Sequence, residues 1–545
     1  MDVVTMVLGL LAAVVATAFA ARLLPVKVPL PLLQIAVGAG LHYAGFQVAF
    51  DSHLFLLLFI PPLLFLDGWR IPKGAFFRDW KPILALAIGL VVFTVLGVGL
   101  LAHALIPAMP LAVAFALAAI LSPTDPVAVT TMTAGAPLPP RLTHILEGEA
   151  VLNDATGLVC FTFAVQAAVT GRFSLPSAAV RFVLVAGGGV LTGATVAAGI
   201  GWLNRLLVRR TGEEPATQIL ISLLIPFAAY LAGEETHVSG ILAAAVAGMV
   251  AHYGELARSG TAATRTQRAA VWNTVQAALS GIIFILLGEH LPSVVRGLPD
   301  AVAGADLDHT LHLLGGAAAL IVAIAALRFA WVWIWMRLTI LRHLPRDQRG
   351  RASPLRLVLV AATAGVRGAM TLAGILTLPL VTSAGDYFPA REAAISLAMG
   401  VILLSLLSAS LVLPALARGL EGLPDVARGS TESGARVAAA RAALRHLREV
   451  TAAPVADPVG AGARDAAAGR VAELYQRRID SGGAGEQAAE AGREAEAARE
   501  LRLRALAAER DELYRLRRAG ELDDDVHRRL VRELDLLETS LLSSG

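Results

Sequence analysis

The stretch Leu146-Glu147-Gly148-Glu149-Ala150-Val151-Leu152-Asn153-Asp154-Ala155-Thr156-Gly157 runs directly into LVCFTFAVQAAV. Three carboxylates therefore open a segment apolar enough to lie in lipid. Even on the mildest scale a charged carboxylate at the bilayer centre costs about 2.5 to 3.5 kcal/mol. A helix that only spans has no use for that cost, so the segment is read as part of a site.

The composition around it places the segment in a membrane. Of 545 residues, 56% are hydrophobic and 16% charged, and the mean hydropathy is +0.66, well above what a soluble domain needs. Apolar runs recur near 3–21, 28–45, 53–68, 81–105, 111–133, 141–170, 176–207, 215–233, 237–252, 270–288, 311–336, 354–380 and 392–417. Their helical length excludes a β-barrel of short alternating strands. The expectation is an all-α polytopic protein of about thirteen transmembrane helices over residues 1–417. Residues 418–545, rich in Ala, Arg and Glu, read as a soluble, helical, regulatory tail.

Alternate loops on one side of this scheme carry nineteen Lys and Arg, and the loops on the other side carry four. That asymmetry predicts an N-terminus outside and a cytoplasmic C-terminus. The basic residues form no stripe interleaved with aromatics, so nucleic acid is not an expected partner. The single cysteine, Cys160, excludes an intrachain disulfide. Three lysines against 43 arginines, with abundant Ala and Gly, suggest a GC-rich bacterial genome and hence a bacterial cytoplasmic membrane.

Two further segments carry polar residues where lipid should be. In FALAAILSPTDPVAVTTM, the fifth span, Pro123 and Pro126 bracket Thr124 and Asp125. Proline removes a backbone donor and clashes with the preceding turn, so this helix must break in the membrane, facing protein or water. In VAATAGVRGAMTLAGILTLP, the twelfth span, Arg367 lies between Gly365 and Gly368. A buried arginine needs a carboxylate, with Glu149 the first choice and Asp154 the second. Glu149 and Asn153 share a helix face, while Asp154 lies about 140° round from Glu149 and can serve a different neighbour. Glu147, nearest the incoming loop, reads as solvated at the interface.

The fifth and twelfth spans hold matching places if six helices at each end form halves joined by the seventh. Interrupted helices in matched positions point to inverted repeats, with broken helices crossing at a midplane site. The opposing dipole ends would be neutralised by Asp125 and Arg367.

Four motifs now stand in order: PPLLFLDGW at 61–69, SPTDPVAV at 122–129, EGEAVLNDATG at 147–157 and GVRGAMTLA at 365–373. Together they resemble the monovalent cation:proton antiporter family, which includes the sodium/proton exchangers, and in particular a bacterial branch with a helical cytoplasmic tail. The resemblance implies that Asp154 binds cation and proton, with Asn153 its partner, and that Asp125 and Thr124 complete the site. It implies a structural ion pair between Glu149 and Arg367, and a place for Asp67 on the ion's cytoplasmic approach. It implies a homodimer that is not an enzyme and needs no cofactor beyond the transported sodium, lithium or potassium and the proton. Exchange would be electroneutral, sodium for proton, serving pH and sodium homeostasis, with potassium for proton as the alternative. One position departs from the pattern: Ala150 stands where many relatives have a serine whose hydroxyl helps ligate the cation.

The physical mechanism is competition. A carboxylate held in a low-dielectric site is stable when a proton or a cation cancels its charge, and not both at once. An intramembrane aspartyl protease with Asp125 and Asp154 as its dyad, and a passive cation channel, are the rivals from other classes. Neither Gly-x-x-x-x-Gly-Lys-Ser/Thr nor His-Glu-x-x-His occurs, which argues against ATP-driven and zinc-peptidase chemistry.

Overall fold

The apolar runs become helices. The computed structural model describes residues 3–25, 28–46, 52–70, 79–125, 128–129, 132–133, 140–171, 175–253, 262–301, 307–343, 354–382, 385–418, 432–452, 458–481, 486–518 and 524–542. In chain order the helices are α1 (Val3–Leu23), α2 (Leu30–Tyr43), α3 (Ser52–Arg70), α4 (Trp80–Leu105), α5 (Leu111–Leu121), α6 (Pro140–Thr170) and α7 (Leu175–Thr211). They continue with α8 (Pro215–Glu235), α9 (Gly240–Tyr253), α10 (Ala262–Ala301), α11 (Leu307–His343), α12 (Pro354–Thr363), α13 (Ala369–Leu376) and α14 (Arg391–Ala417). Among the described residues, eight helices are long and apolar enough to cross a membrane: α1, α4, α6, α7, α8, α10, α11 and α14. Several outrun the apolar stretches that announce them, and α10 reaches 40 residues.

Two segments are interrupted. α5 stops at Leu121, Ser122–Asp125 is non-helical, and helical backbone resumes at Ala128. Pro123 favours the stop, since it has no amide to donate and its ring crowds the preceding turn; Pro126 lies outside the described residues. α12 stops at Thr363, and after five non-helical residues α13 begins at Ala369.

The helices pack mainly in two groups. In one, α2 lies against α10, α3 against α9, and α7 and α8 against α9; in the other, α5 joins α4 to α6, and α11 joins α4, α12 and α14. Small residues set the closest approaches, as expected where lipid gives no hydrophobic drive for helices to associate. A Cβ at Gly38 of α2 would overlap the Ile285 carbonyl of α10, and one at Gly288 of α10 would overlap the Ile35 carbonyl of α2. The two interrupted segments belong to the second group, and α13 also packs against α3 and α10 of the first.

Residues Met1–Asp425 form one compact unit and Val426–Gly545 another. The second unit holds α15 (Glu432–Ala452), α16 (Pro458–Ser481), α17 (Glu486–Arg518) and α18 (Asp524–Leu542). Its buried apolar side chains among the described residues are few, chiefly Val437, Leu444, Leu506 and Leu534. Ion pairs along and between helices supplement them: Arg477 with Glu473 at 2.7 Å, and Arg510 of α17 with Asp535 of α18 at 2.9 Å and with Glu538.

Candidate ion-binding site

The two interruptions meet. The backbone amide of Asp125 donates to the carbonyl of Val366 at 2.8 Å, so two stretches of non-helical backbone satisfy each other in the interior. Gly368 makes the crossing possible, because a Cβ there would overlap the Asp125 carboxylate. That carboxylate accepts from the Ala128 amide at 3.1 Å, capping the renewed helix, and its other oxygen lies beside Gly368, the residue that starts α13. One negative charge thus stands where helical backbone resumes at Ala128 and at the N-terminal end of α13, where the macrodipole favours it.

Arg367 does the reverse. Its Nε donates to the Leu121 carbonyl at 2.8 Å, and its Nη1 donates to the Gly365 carbonyl. These carbonyls follow the last turns of α5 and α12, so a positive charge stands at both C-terminal ends. Its own amide donates to Ser405 Oγ of α14 at 3.1 Å.

The expected Glu149–Arg367 pair is corrected here. Glu149, 1% exposed, is held by Arg328 of α11 through Nη1 to Oε1 at 2.5 Å and Nη2 to Oε2 at 2.8 Å. Arg328 Nε also donates to the Ala361 carbonyl at 2.8 Å, tying α6, α11 and α12 together. The physical reason is geometric. Both arginines flank Gly365, but the helix-end carbonyls occupy the Arg367 guanidinium, whereas Arg328 presents its fork to the carboxylate. Sequence reading missed Arg328, although an arginine amid AALRFAW, inside an apolar span, is the signal that singled out Arg367.

Asn153 and Asp154 sit on α6 beside the crossing, 1% and 6% exposed. Asn153 Nδ2 donates to Thr124 Oγ1 at 3.0 Å, which fixes the amide's orientation and joins α6 to the first break. Asn153 Oδ1 and Asp154 Oδ1 are buried without a hydrogen-bond partner. Such acceptors are costly unless something positive reaches them. A cavity opens at Asp154, walled by Thr124 and Asp125, by Asp67 of α3, and by Gln276 and Ser280 of α10. The structure therefore gathers Asp67, Thr124, Asp125 and Asp154 around one space, with Asn153 just behind it. Ala150 is buried and contributes no oxygen. Glu147 is half-buried, nearer the start of α6.

No hydrogen bond joins Asp154 to Asp125, and Asp125 is engaged in capping. Among the described residues no three His, Cys, Asp or Glu converge as in a resident metal site. The arrangement offers hard oxygen ligands around the carboxylates of Asp154 and Asp67, neither of which is hydrogen-bonded among the described residues.

Comparison with known proteins places the chain in a family. Residues 9–419 match the family described as "Sodium/hydrogen exchanger, transmembrane". The "Uncharacterized Na(+)/H(+) exchanger YjcE" of Escherichia coli (strain K12) is 39% identical over 535 residues, covering 96% of both chains. The "Sodium, potassium, lithium and rubidium/H(+) antiporter" of Bacillus subtilis (strain 168) is 40% identical over 421 residues, covering 76% of this chain and 62% of that one. The solved sodium proton antiporter MjNhaP1 of Methanocaldococcus jannaschii shares the fold, with a TM-score of 0.59 at 17% identity over 77% of this chain and all of that one. The chain belongs to the sodium/hydrogen exchanger family, a family of membrane-embedded cation/proton antiporters.

Proposed function

We propose that this protein exchanges one monovalent cation, sodium in the first place, for one proton by alternating access, with Asp154 as the shared carboxylate. One observation carries the reading: a buried aspartate with an unpartnered oxygen at a cavity beside two crossed, broken helices. Proton and cation compete for that oxygen, and either leaves the site neutral enough to cross the low-dielectric barrier between its two access states.

Formal charge supports one-for-one exchange. Within the group that carries the crossing, Glu149 is balanced by Arg328 and Asp125 by Arg367. Asp154 is left as the uncompensated site charge of that group, and Asn153 adds none. Asp67 belongs to α3 in the other group, on the wall facing the site. The two groups would rock against each other, as inverted repeats would allow. The Bacillus subtilis relative, named for four alkali cations, keeps potassium as the second reading.

We place the protein in a bacterial cytoplasmic membrane, N-terminus outside and C-terminus inside, as a homodimer with a regulatory tail. The test is proton flux in proteoliposomes under sodium, lithium and potassium gradients. Wild type should move protons against at least one of them without net current. Asp154→Asn should abolish exchange while the protein stays folded. Because proton and cation compete, the apparent KM for the cation should fall as pH rises, by at most about tenfold per unit. Exchange that survives in Asp154→Asn, or a cation KM indifferent to pH, would refute the assignment.

A further inference from the structure

We infer that Gln276 and Ser280 of α10 complete the oxygen shell of the transported cation and decide which alkali ion the site prefers; this rests on the antiport reading above. The two residues are four apart, one above the other on a single face of α10, and both line the cavity that Asp154 opens into. Both are half-buried, and among the described residues neither side chain makes a hydrogen bond. A helical serine in lipid ordinarily bonds back to the preceding turn. Ser280 does not, and from there to Gly288 the helix reads SGIIFILLG, with no other side chain able to ligate. Polar groups left open toward a cavity in such surroundings are explained by what the cavity takes in.

The α6 wall by itself supplies no hydroxyl, and its one neutral oxygen, Asn153 Oδ1, lies behind the cavity lining. α6 offers the carboxylate of Asp154 and the amide oxygen of Asn153, and Ala150 leaves it without a hydroxyl. A hard cation seeks several oxygens, and neutral amide and hydroxyl oxygens discriminate by distance without adding charge. Gln276 Oε1 and Ser280 Oγ are such donors. They also stand on a rigid support, because the interlocked glycines of α2 and α10 hold this helix by backbone contact. The spacing between a fixed α10 and Asp154 would then act as the ruler for ion size. A proton needs no such shell, so the two wall residues should affect the cation alone.

The experiment uses purified full-length protein in proteoliposomes, comparing wild type with Ser280→Ala, Gln276→Ala, Ser280→Thr and Gln276→Asn. Expected is a rise of at least about fivefold in apparent KM for one or more of lithium, sodium and potassium, with a changed ranking, and an unchanged pH profile at saturating cation. Ser280→Thr and Gln276→Asn keep the oxygens, so they should keep the fold and shift the ranking if the alanine variants fail to fold. Unchanged KM and ranking in folded variants would overturn the inference. So would an equal rise for all three cations accompanied by a moved pH profile, which is the mark of a structural role. If wild type drives no pH change under any alkali gradient, the antiport reading itself has failed.

Discussion

Arg367 Nε lies 2.8 Å from the carbonyl oxygen of Leu121, so a guanidinium from one broken segment closes the last turn of the other. Its Nη1 does the same for Gly365 in its own segment. Arg367→Ala leaves two interior carbonyls unmet, each worth about 1–3 kcal/mol. Thermal unfolding in detergent should show a fall of several degrees. Arg367→Lys should restore only part of it, because an ammonium cannot reproduce the planar fork. A variant as stable as wild type would mean the helix ends find other donors.

Glu149 and Arg328 form the buried pair. Removing either partner alone should cost about 3–5 kcal/mol, and replacing both, as Glu149→Leu with Arg328→Met, should cost less than either single change. A double-mutant cycle on unfolding free energy checks this. The coupling of Glu149 to Arg328 should exceed that of Glu149 to Arg367, and the opposite order would overturn the pairing.

Gly368 is required by contact. Gly368→Ala drives a methyl into the Asp125 carboxylate and pushes apart the crossing held by the Asp125–Val366 backbone bond. Overpacking of this kind costs about 1–3 kcal/mol. Exchange should fall more than stability does, because the displaced atoms border the cavity. Gly315→Ala in α11, where an added Cβ meets nothing within 4 Å, is the control and should be neutral or stabilising. Equal behaviour of the two variants in exchange and unfolding assays would sink the contact explanation.

Trp331 of α11 donates Nε1 to the Ala85 carbonyl at 3.1 Å, at the start of a π-helical turn of α4 spanning Ala85–Leu90. A π turn disturbs the regular carbonyl ladder, and the indole satisfies the carbonyl that opens it. Trp331→Phe keeps most of the packing against Gly89 and loses the donor. Stability should drop by about 0.5–1.5 kcal/mol. No drop in the unfolding midpoint would show that the carbonyl has another partner.

The residues legible from sequence were those that break a local rule. Two prolines around Thr124 and Asp125 announce an interrupted helix, and carboxylates or an arginine inside apolar runs announce a site. Asp67, Asp125, Thr124, Asn153 and Asp154 are named by these signals or by the motifs around them, and four of them line one cavity. Arg328 stands in equally apolar surroundings but belongs to none of the four motifs. Gln276 and Ser280 were harder: a glutamine and a serine in an apolar helix are ordinary, and only the cavity wall they share marks them.

By itself, the sequence determined that the chain is a helical membrane protein with a charged, interrupted interior, because the cost of polar groups and prolines in lipid is local and can be read one segment at a time. Tertiary structure alone decided which arginine meets Glu149, which helix ends Asp125 and Arg367 neutralise, and which helix faces Asp154. Those outcomes depend on a few ångströms between segments far apart in the chain, where Gly365 and Gly368 admit two side chains and the carbonyls already within reach settle their partners.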